Sequence, residues 1–319
     1  VMAELDELWK QVLLQQFHDI LPGSSITWVY DDAEAVHTHV AARLEALIAD
    51  ALHRLTPAVP TIANPTAFQR REVVAFAPSA VGNVPGQVLH DGSVAFLAEV
   101  PGLGLAPATP PSSSTTAATR ADDRVVVTEC SFTNQFLSLK WDLEGSISSI
   151  IDIGAGRQLL PTGSTVHLEL APDHPVEYDA WDLESWTRSL GSPLGGVTSV
   201  EVVDAGPLVA TLRVKREFGG STLTQWITMR AESARLDIAF EIDWYEDEKL
   251  LSLVAPLDVH AREAACDIQF GHVMRPTHSS NSWDSAKFEV CAHRYVDLAE
   301  PGFGVAVLND GRYGHSVQA

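Results

Sequence analysis

Gln16-Phe17-His18-Asp19-Ile20-Leu21-Pro22-Gly23-Ser24-Ser25 closes a run of helical spacing and then turns the chain. The helix predicted ahead of it runs from about Glu4 to Leu21, with Leu5, Leu8, Trp9, Val12, Leu13, Phe17 and Ile20 on one face. Pro22 cannot extend a helix and disfavours helical backbone at Leu21, while Gly23 supplies a flexible turn. His18 is thereby expected among the last carbonyls, where the negative end of the helix dipole favours positive charge. Adjacent helical side chains diverge by about 100°, so His18 and Asp19 are not expected to grip one ion together while both are helical. They can still serve one site in different roles. Leu13, Leu14, Phe17, Ile20 and Leu21 make the last turn apolar nearly all round, which predicts cover on more than one side. Taken alone, a His-Asp dipeptide in this position more often complements the helix dipole and accepts local backbone bonds than binds a ligand.

Working outward, Asp31 and Glu34 are spaced as a capping box, and Val36, Val40, Leu44, Leu47, Ile48, Ala51, Leu52 and Leu55 keep helical spacing. The two helices predict an αα-hairpin over residues 1–57, ended by Pro57 and Pro60. His37 and His39 stand about 200° apart on such a helix and form no chelate. From Thr61 the period changes. Thr61–Pro65, Glu72–Phe76, Gln87–Leu89 and Val94–Val100 are short strands between Pro and Gly turns, which predicts a small β-sandwich over 58–105. Residues 106–120, rich in Pro, Ser, Thr and Ala, read as a linker or exposed loop. Residues 121–319 hold many strand candidates and almost no helical pattern. Leu236–Trp244 alternates strictly, which predicts one buried and one acidic face. The fold class is therefore mainly β with an N-terminal helical hairpin, a helical-bundle remnant followed by a small and a large antiparallel β-sandwich.

Composition excludes some function classes. Against 42 Asp and Glu there are 21 Lys and Arg, a formal net charge of −21, which repels phosphate backbones and argues against nucleic-acid binding. No run approaches the apolar length of a membrane span, and no signal-peptide pattern opens the chain. Cys130, Cys266 and Cys291 leave one thiol over from any disulfide, so buried free thiols in a reducing compartment, and with them a cytoplasmic location, are expected. Trp181, Trp186 and Trp283 beside acids such as Asp179, Asp182 and Asp284 read either as a sugar-stacking platform with hydroxyl-bonding carboxylates or as core aromatics, the commoner case. His272, His278 and His293 match no metal-ligand spacing and read as neutral structural histidines.

The stretch Leu8–Ile26, followed by Val29-Tyr30-Asp31-Asp32-Ala33, closely resembles the mid-chain segment of glycoside hydrolase family 38 α-mannosidases. So do Asp142–Asp152, Tyr178-Asp179-Ala180-Trp181-Asp182, Phe270–His278 with Ser282-Trp283-Asp284 and Phe288–His293, and Gly304–Gly314. The resemblance, closest to bacterial members, covers most of the chain and implies a galactose-mutarotase-like super-sandwich. It also implies retaining, zinc-dependent hydrolysis of terminal α-linked mannose from oligosaccharides. Carried over by position, His18 is a ligand of catalytic Zn2+ and Asp19 contacts the mannose hydroxyls. Asp179, Trp181, Asp182, Trp283 and Asp284 are sugar-proximal candidates.

Retaining hydrolysis needs a nucleophilic carboxylate and an acid/base carboxyl about 5 Å apart. In the family these, with a His-x-Asp zinc motif, belong to an α/β domain preceding the segment where this chain starts. No His-x-Asp occurs here, so no catalytic residue is expected in this chain. One histidine does not hold zinc where sites use three or four protein ligands. The chain thus reads as the C-terminal portion of such an enzyme, inactive alone, with a natural N-terminus expected before Val1, further strands expected after Ala319, and the N-terminal catalytic domain packing on the first helix. The alternative is a non-catalytic carbohydrate-binding or structural β-sandwich module.

Overall fold

In a computed structural model, residues 1–56, 60–81, 84–108, 124–179 and 181–318 are described. They form two compact units, one built from the chain before residue 117 together with Pro175–Asp182, the other from the remainder. Pro57 and residues 109–120 of the expected linker lie outside the described residues.

The first unit opens with helices α1 (Met2–Leu14) and α2 (Thr27–Leu55). Leu8 of α1 and Ala33 and Val40 of α2 are buried, and Arg43 Nε donates to Glu4 Oε1 at 2.9 Å across the pair. The first helix stops well short of the predicted Leu21. The Gln16 side-chain amide donates to the Val12 carbonyl at 3.5 Å, while the Gln16 and Phe17 N–H groups turn to Leu13 and Leu14 one residue nearer. That tightening ends the α-helical ladder. The second helix starts ahead of the expected capping box, and Asp31 and Glu34 lie exposed inside it. Ile26 holds the N-cap position in extended backbone with no side-chain cap, and Tyr30 in the first turn reaches back to the Ser25 N–H instead.

The β part of this unit pairs Thr61–Asn64 with Gly104–Pro107, and places Val94–Val100 between Arg70–Phe76 and Gln87–Val88. Phe96, Ala98, Val100 and Ala108 form its core with Ile62, Val74 and Phe76 against them. The last strand thus enters the segment expected as a linker, and Ala108 beyond it is buried.

All strand pairs of the second unit are antiparallel among the described residues. A five-stranded sheet spans residues 126–158, and a four-stranded sheet runs Val197–Ala205, Val209–Phe218, Ser221–Arg230, Leu236–Asp243. Strand His167–Pro172 pairs with Lys249–Val254 and Ser192–Pro193 in a third sheet. Glu263–Ile268, Gly271–Pro276, Tyr295–Glu300 and Phe303–Leu308 make a fourth. Side chains alternate as half-buried strands require: Leu223, Ile227 and Met229 point into the core with Leu212, Val214, Phe132, Leu139 and Ile147.

Three sequence-based expectations fail here. Of the three free thiols expected to be buried, Cys266 is, whereas Cys130 and Cys291 are exposed. Leu236–Asp243 is a sheet edge, and from Ala239 onward it is exposed on both faces, Phe240, Ile242 and Trp244 included. Its alternation is real, but no described element covers its apolar face. Trp181, Trp186 and Trp283, for which a core position was the commoner reading, are all exposed, whereas Trp141 fills the core against Phe132 at 4.7 Å between ring centroids.

Gly196 precedes strand Val197–Ala205 with φ +73°, and a Cβ there would lie 1.9 Å from the Glu217 carbonyl oxygen. The same residue accepts the Glu217 N–H at 2.8 Å, so the strands cannot part to make room. Gly195 has open space around its Cβ direction. Gly196→Ala is expected to destabilise the chain by at least about 2 kcal/mol, and Gly195→Ala by about 0.5 kcal/mol or less, in matched urea titrations.

Candidate functional site

Because α1 ends at Leu14, residues 15–23 are a succession of turns and His18 is not in a helical last turn. The N–H groups of Ile20, Gly23 and Ser24 bond to the carbonyls of Phe17, Ile20 and Asp19. The Tyr30 hydroxyl closes this turn, accepting from the Ser25 N–H at 2.9 Å and donating to the Asp19 carbonyl at 3.2 Å. Gly23 takes φ +89°, which lets the chain reverse beside Pro22.

This local geometry corrects the helical expectation in two respects. His18 is removed from the helix dipole that was to favour its charge. Its imidazole also does not diverge from Asp19, since Nε2 lies 3.7 Å from Asp19 Oδ1. Outside a helix the roughly 100° step between neighbours no longer applies. Both side chains face solvent, at 72% and 41% exposure, with the Phe17 ring 4.4 Å from the imidazole. Trp9, Leu13, Leu14, Phe17 and Leu21 around them are exposed too, so the cover predicted for this apolar end is not supplied by the described residues. Among those residues no three His, Cys, Asp or Glu side chains gather as a metal site. His18 by itself does not make one.

The remaining candidates fall into two local clusters. Asp179, Trp181 and Asp182 sit exposed on a tight turn in which the Trp181 and Asp182 N–H groups bond to the Tyr178 carbonyl at 2.7 and 2.9 Å. Tyr178 takes φ +55° to make that turn. Trp283 and Asp284 share the short helix Ser282–Ser285. There Asn281 accepts the Asp284 N–H at 3.0 Å and donates to its Oδ2 at 2.6 Å, with His278 Nδ1 at 3.5 Å. Asp284 is thus engaged in a helix cap, while Trp283 is exposed. His272 is exposed, and His293 stacks edge-on to Tyr313 at 5.3 Å.

One arrangement escaped the sequence reading. Asp267, buried, accepts from Arg294 Nε at 2.9 Å, from Nη2 at 3.1 Å and from the Arg294 N–H at 3.0 Å. The Arg294 hydrogen bonds hold the Asp267 carboxyl below the usual carboxylate range, against the opposing pull of burial. Glu300 is likewise held low, first by Arg157 and then by the His260 N–H. Asp267 and Arg294 are 27 residues apart and carry no motif; only the pairing of strand Glu263–Ile268 with Tyr295–Glu300 brings them together. Beside them lies a cleft of about 280 Å³ whose walls include Phe270, His293, Asp310 and Tyr313.

Comparison with known proteins gives these positions a family context. Residues 132–319 match the model of the glycosyl hydrolases family 38 C-terminal domain, and residues 1–55 that of the alpha mannosidase middle domain. Alpha-mannosidase 2C1 of Homo sapiens is 33% identical over 99% of this chain, and alpha-mannosidase G of Dictyostelium discoideum 30% identical over 98%. The chain spans only 30% and 33% of the length of these relatives. The crystal structure of an alpha-mannosidase from Enterococcus faecalis V583 covers the whole chain with a TM-score of 0.74 at 15% identity, a likeness of fold, and 46% of that protein is matched.

Two outcomes follow from the geometry. Tyr30→Phe leaves the Ser25 N–H without its acceptor and is expected to lower the stability of the first unit by about 1–2 kcal/mol, read by urea titration. Asp267 has a depressed folded pKa, so the unfolded chain binds its proton first and its contribution is present above about pH 4 and lost as pH falls through the folded value. Asp267→Asn is expected to flatten the acid limb of the stability profile below about pH 4, whereas an unchanged limb would show the pair carries no such linkage.

Proposed function

The chain belongs to glycosyl hydrolase family 38, and from that membership we propose that the intact protein containing it is a retaining, zinc-dependent α-mannosidase that removes terminal α-linked mannose from oligosaccharides. The observation that carries this reading to particular residues is the Gln16–Ser25 turn. It presents an imidazole and a carboxylate 3.7 Å apart, both open to solvent, at the end of an exposed apolar helix face. A surface of Trp9, Leu13, Leu14 and Phe17 is costly to leave in water and is the kind of patch a neighbouring domain covers. The catalytic domain is assigned to that face, so that His18 and Asp19 enter the active site from its edge.

In this reading His18 supplies one zinc ligand and the other ligands come from outside this chain. Bound zinc supplies Lewis acidity and a hold on sugar hydroxyls. Asp19 accepts hydrogen bonds from mannose hydroxyls, which strengthen as the site excludes water. The Tyr30 hydroxyl acts as a positioning group, because it fixes the Asp19 carbonyl and hence the backbone from which both side chains project. The nucleophile and acid/base are not assigned to any residue here, and the isolated chain is expected to be inactive and to bind zinc weakly.

In the full-length protein, His18→Ala should lower both zinc stoichiometry and turnover. Asp19→Asn should keep the metal and lose about 2–4 kcal/mol of transition-state stabilisation, measured as kcat/KM. Full zinc content together with normal turnover in His18→Ala would refute the assignment, as would zinc-dependent cleavage of an aryl α-mannoside by the isolated chain.

A further inference from the structure

We propose that the cleft beside the Asp267–Arg294 pair binds a neutral saccharide, with the Phe270 ring as its platform. The first observation is the ring itself. Gln269 and Phe270 form the two-residue connection between strands Glu263–Ile268 and Gly271–Pro276, closed by the Ile268–Gly271 pair. Phe270 adopts φ +65° and is completely exposed, at 110% of the reference area. A bulky aromatic in left-handed backbone is strained, and glycine or asparagine would make the same turn without strain. Phe270 recovers none of that cost by packing. Strain of this kind gathers where a side chain must be held out for a ligand.

The second observation is the chemistry of the wall the ring adjoins. Arg294 spends two side-chain N–H groups on Asp267 but is 80% exposed, so its other donors remain open to the cleft. Its guanidinium is fixed by a bidentate pair with a buried carboxylate, so ordering it on ligand binding costs little. The exposed Asp310 offers acceptors, and Tyr313 offers a second aromatic surface. The lining of the cleft holds two carboxylates, Asp267 and Asp310, against one guanidinium, which leaves no excess positive charge for an anion. Donors, acceptors and ring faces in a shallow cleft of about 280 Å³ suit a pyranose, whose hydroxyls need both kinds of partner and whose C–H face stacks on aromatics.

This inference does not rest on the catalytic role of His18 or Asp19. It is tested on the chain itself by saturation-transfer NMR with methyl α-D-mannopyranoside and methyl β-D-glucopyranoside, with inorganic phosphate as the anionic comparison. At least one glycoside is expected to give saturable transfer at about millimolar concentration, and phosphate is expected not to displace it. Phe270→Gly, which relieves the backbone, should leave the melting temperature unchanged or raise it while weakening glycoside binding about tenfold or more. Asp310→Ala should weaken binding without a melting shift. Absence of saturable transfer from both glycosides overturns the proposal. So does glycoside binding that survives Phe270→Gly, or displacement by phosphate.

Discussion

Saturated asparagine side chains hold the places where strands of this protein leave one sheet and meet another element. Asn134, buried, accepts the Phe136 and Leu137 N–H groups on Oδ1 at 2.8 Å each and donates through Nδ2 to the Arg230 and Ser233 carbonyls. Its whole hydrogen-bonding capacity is spent in tying the start of strand Leu137–Trp141 to the end of Ser221–Arg230. Arg216 makes a second tie between the same sheets, donating to the Glu144 carbonyl at 2.6 Å and the Leu194 carbonyl at 3.0 Å. Burial pushes its pKa down, and the nearby Glu144 and Asp142 only partly restore it. A buried polar group with one way to be satisfied fixes how sheets stack more sharply than apolar contact does, because any slip leaves it unpaired.

Asn64 does the same in the first unit, donating to the Phe68, Val100 and Pro101 carbonyls and accepting from Thr66. Asn309 repeats the device at the cleft, bonding the His293 carbonyl and the Gly311 and Arg312 N–H groups. It therefore holds the loop carrying Asp310 and Tyr313 against the bend carrying His293 and Arg294. Structural rigidity and the candidate saccharide cleft thus share one side chain.

The two functional candidates differ in how they are built. The His18–Asp19 turn is made of local backbone bonds closed by one tyrosine hydroxyl, and it projects its side chains beside an uncovered apolar surface. The Asp267–Arg294 cleft is assembled from strands far apart in sequence, around a buried carboxylate, within one unit. The first, in the function proposed above, is one part of a site whose other residues come from a neighbouring domain. The second carries its own supporting shell.

The change from helical to alternating period near Thr61, the hairpin of helices and the antiparallel strands were legible in the sequence, because spacing of apolar residues determines which backbone can bury them. Val94–Val100 was read to the residue. Strands Glu263–Ile268 and Tyr295–Glu300 were not, since Glu263-Ala264-Ala265-Cys266-Asp267-Ile268 has little β-branched character and its pairing partners supply the reason to extend. The family motif placed His18 and Asp19 in one stretch, but their approach to 3.7 Å depended on where α1 stops. The Gln16 and Phe17 N–H groups mark that stop by turning to carbonyls three residues back, the Tyr30 hydroxyl closes the turn beyond it, and neither feature has a periodicity to read. Alternation in Leu236–Asp243 determined which residues share a face; only the tertiary structure decided that the strand is an edge. Local spacing is written in the chain, whereas exposure and long-range pairing depend on what packs next to each element.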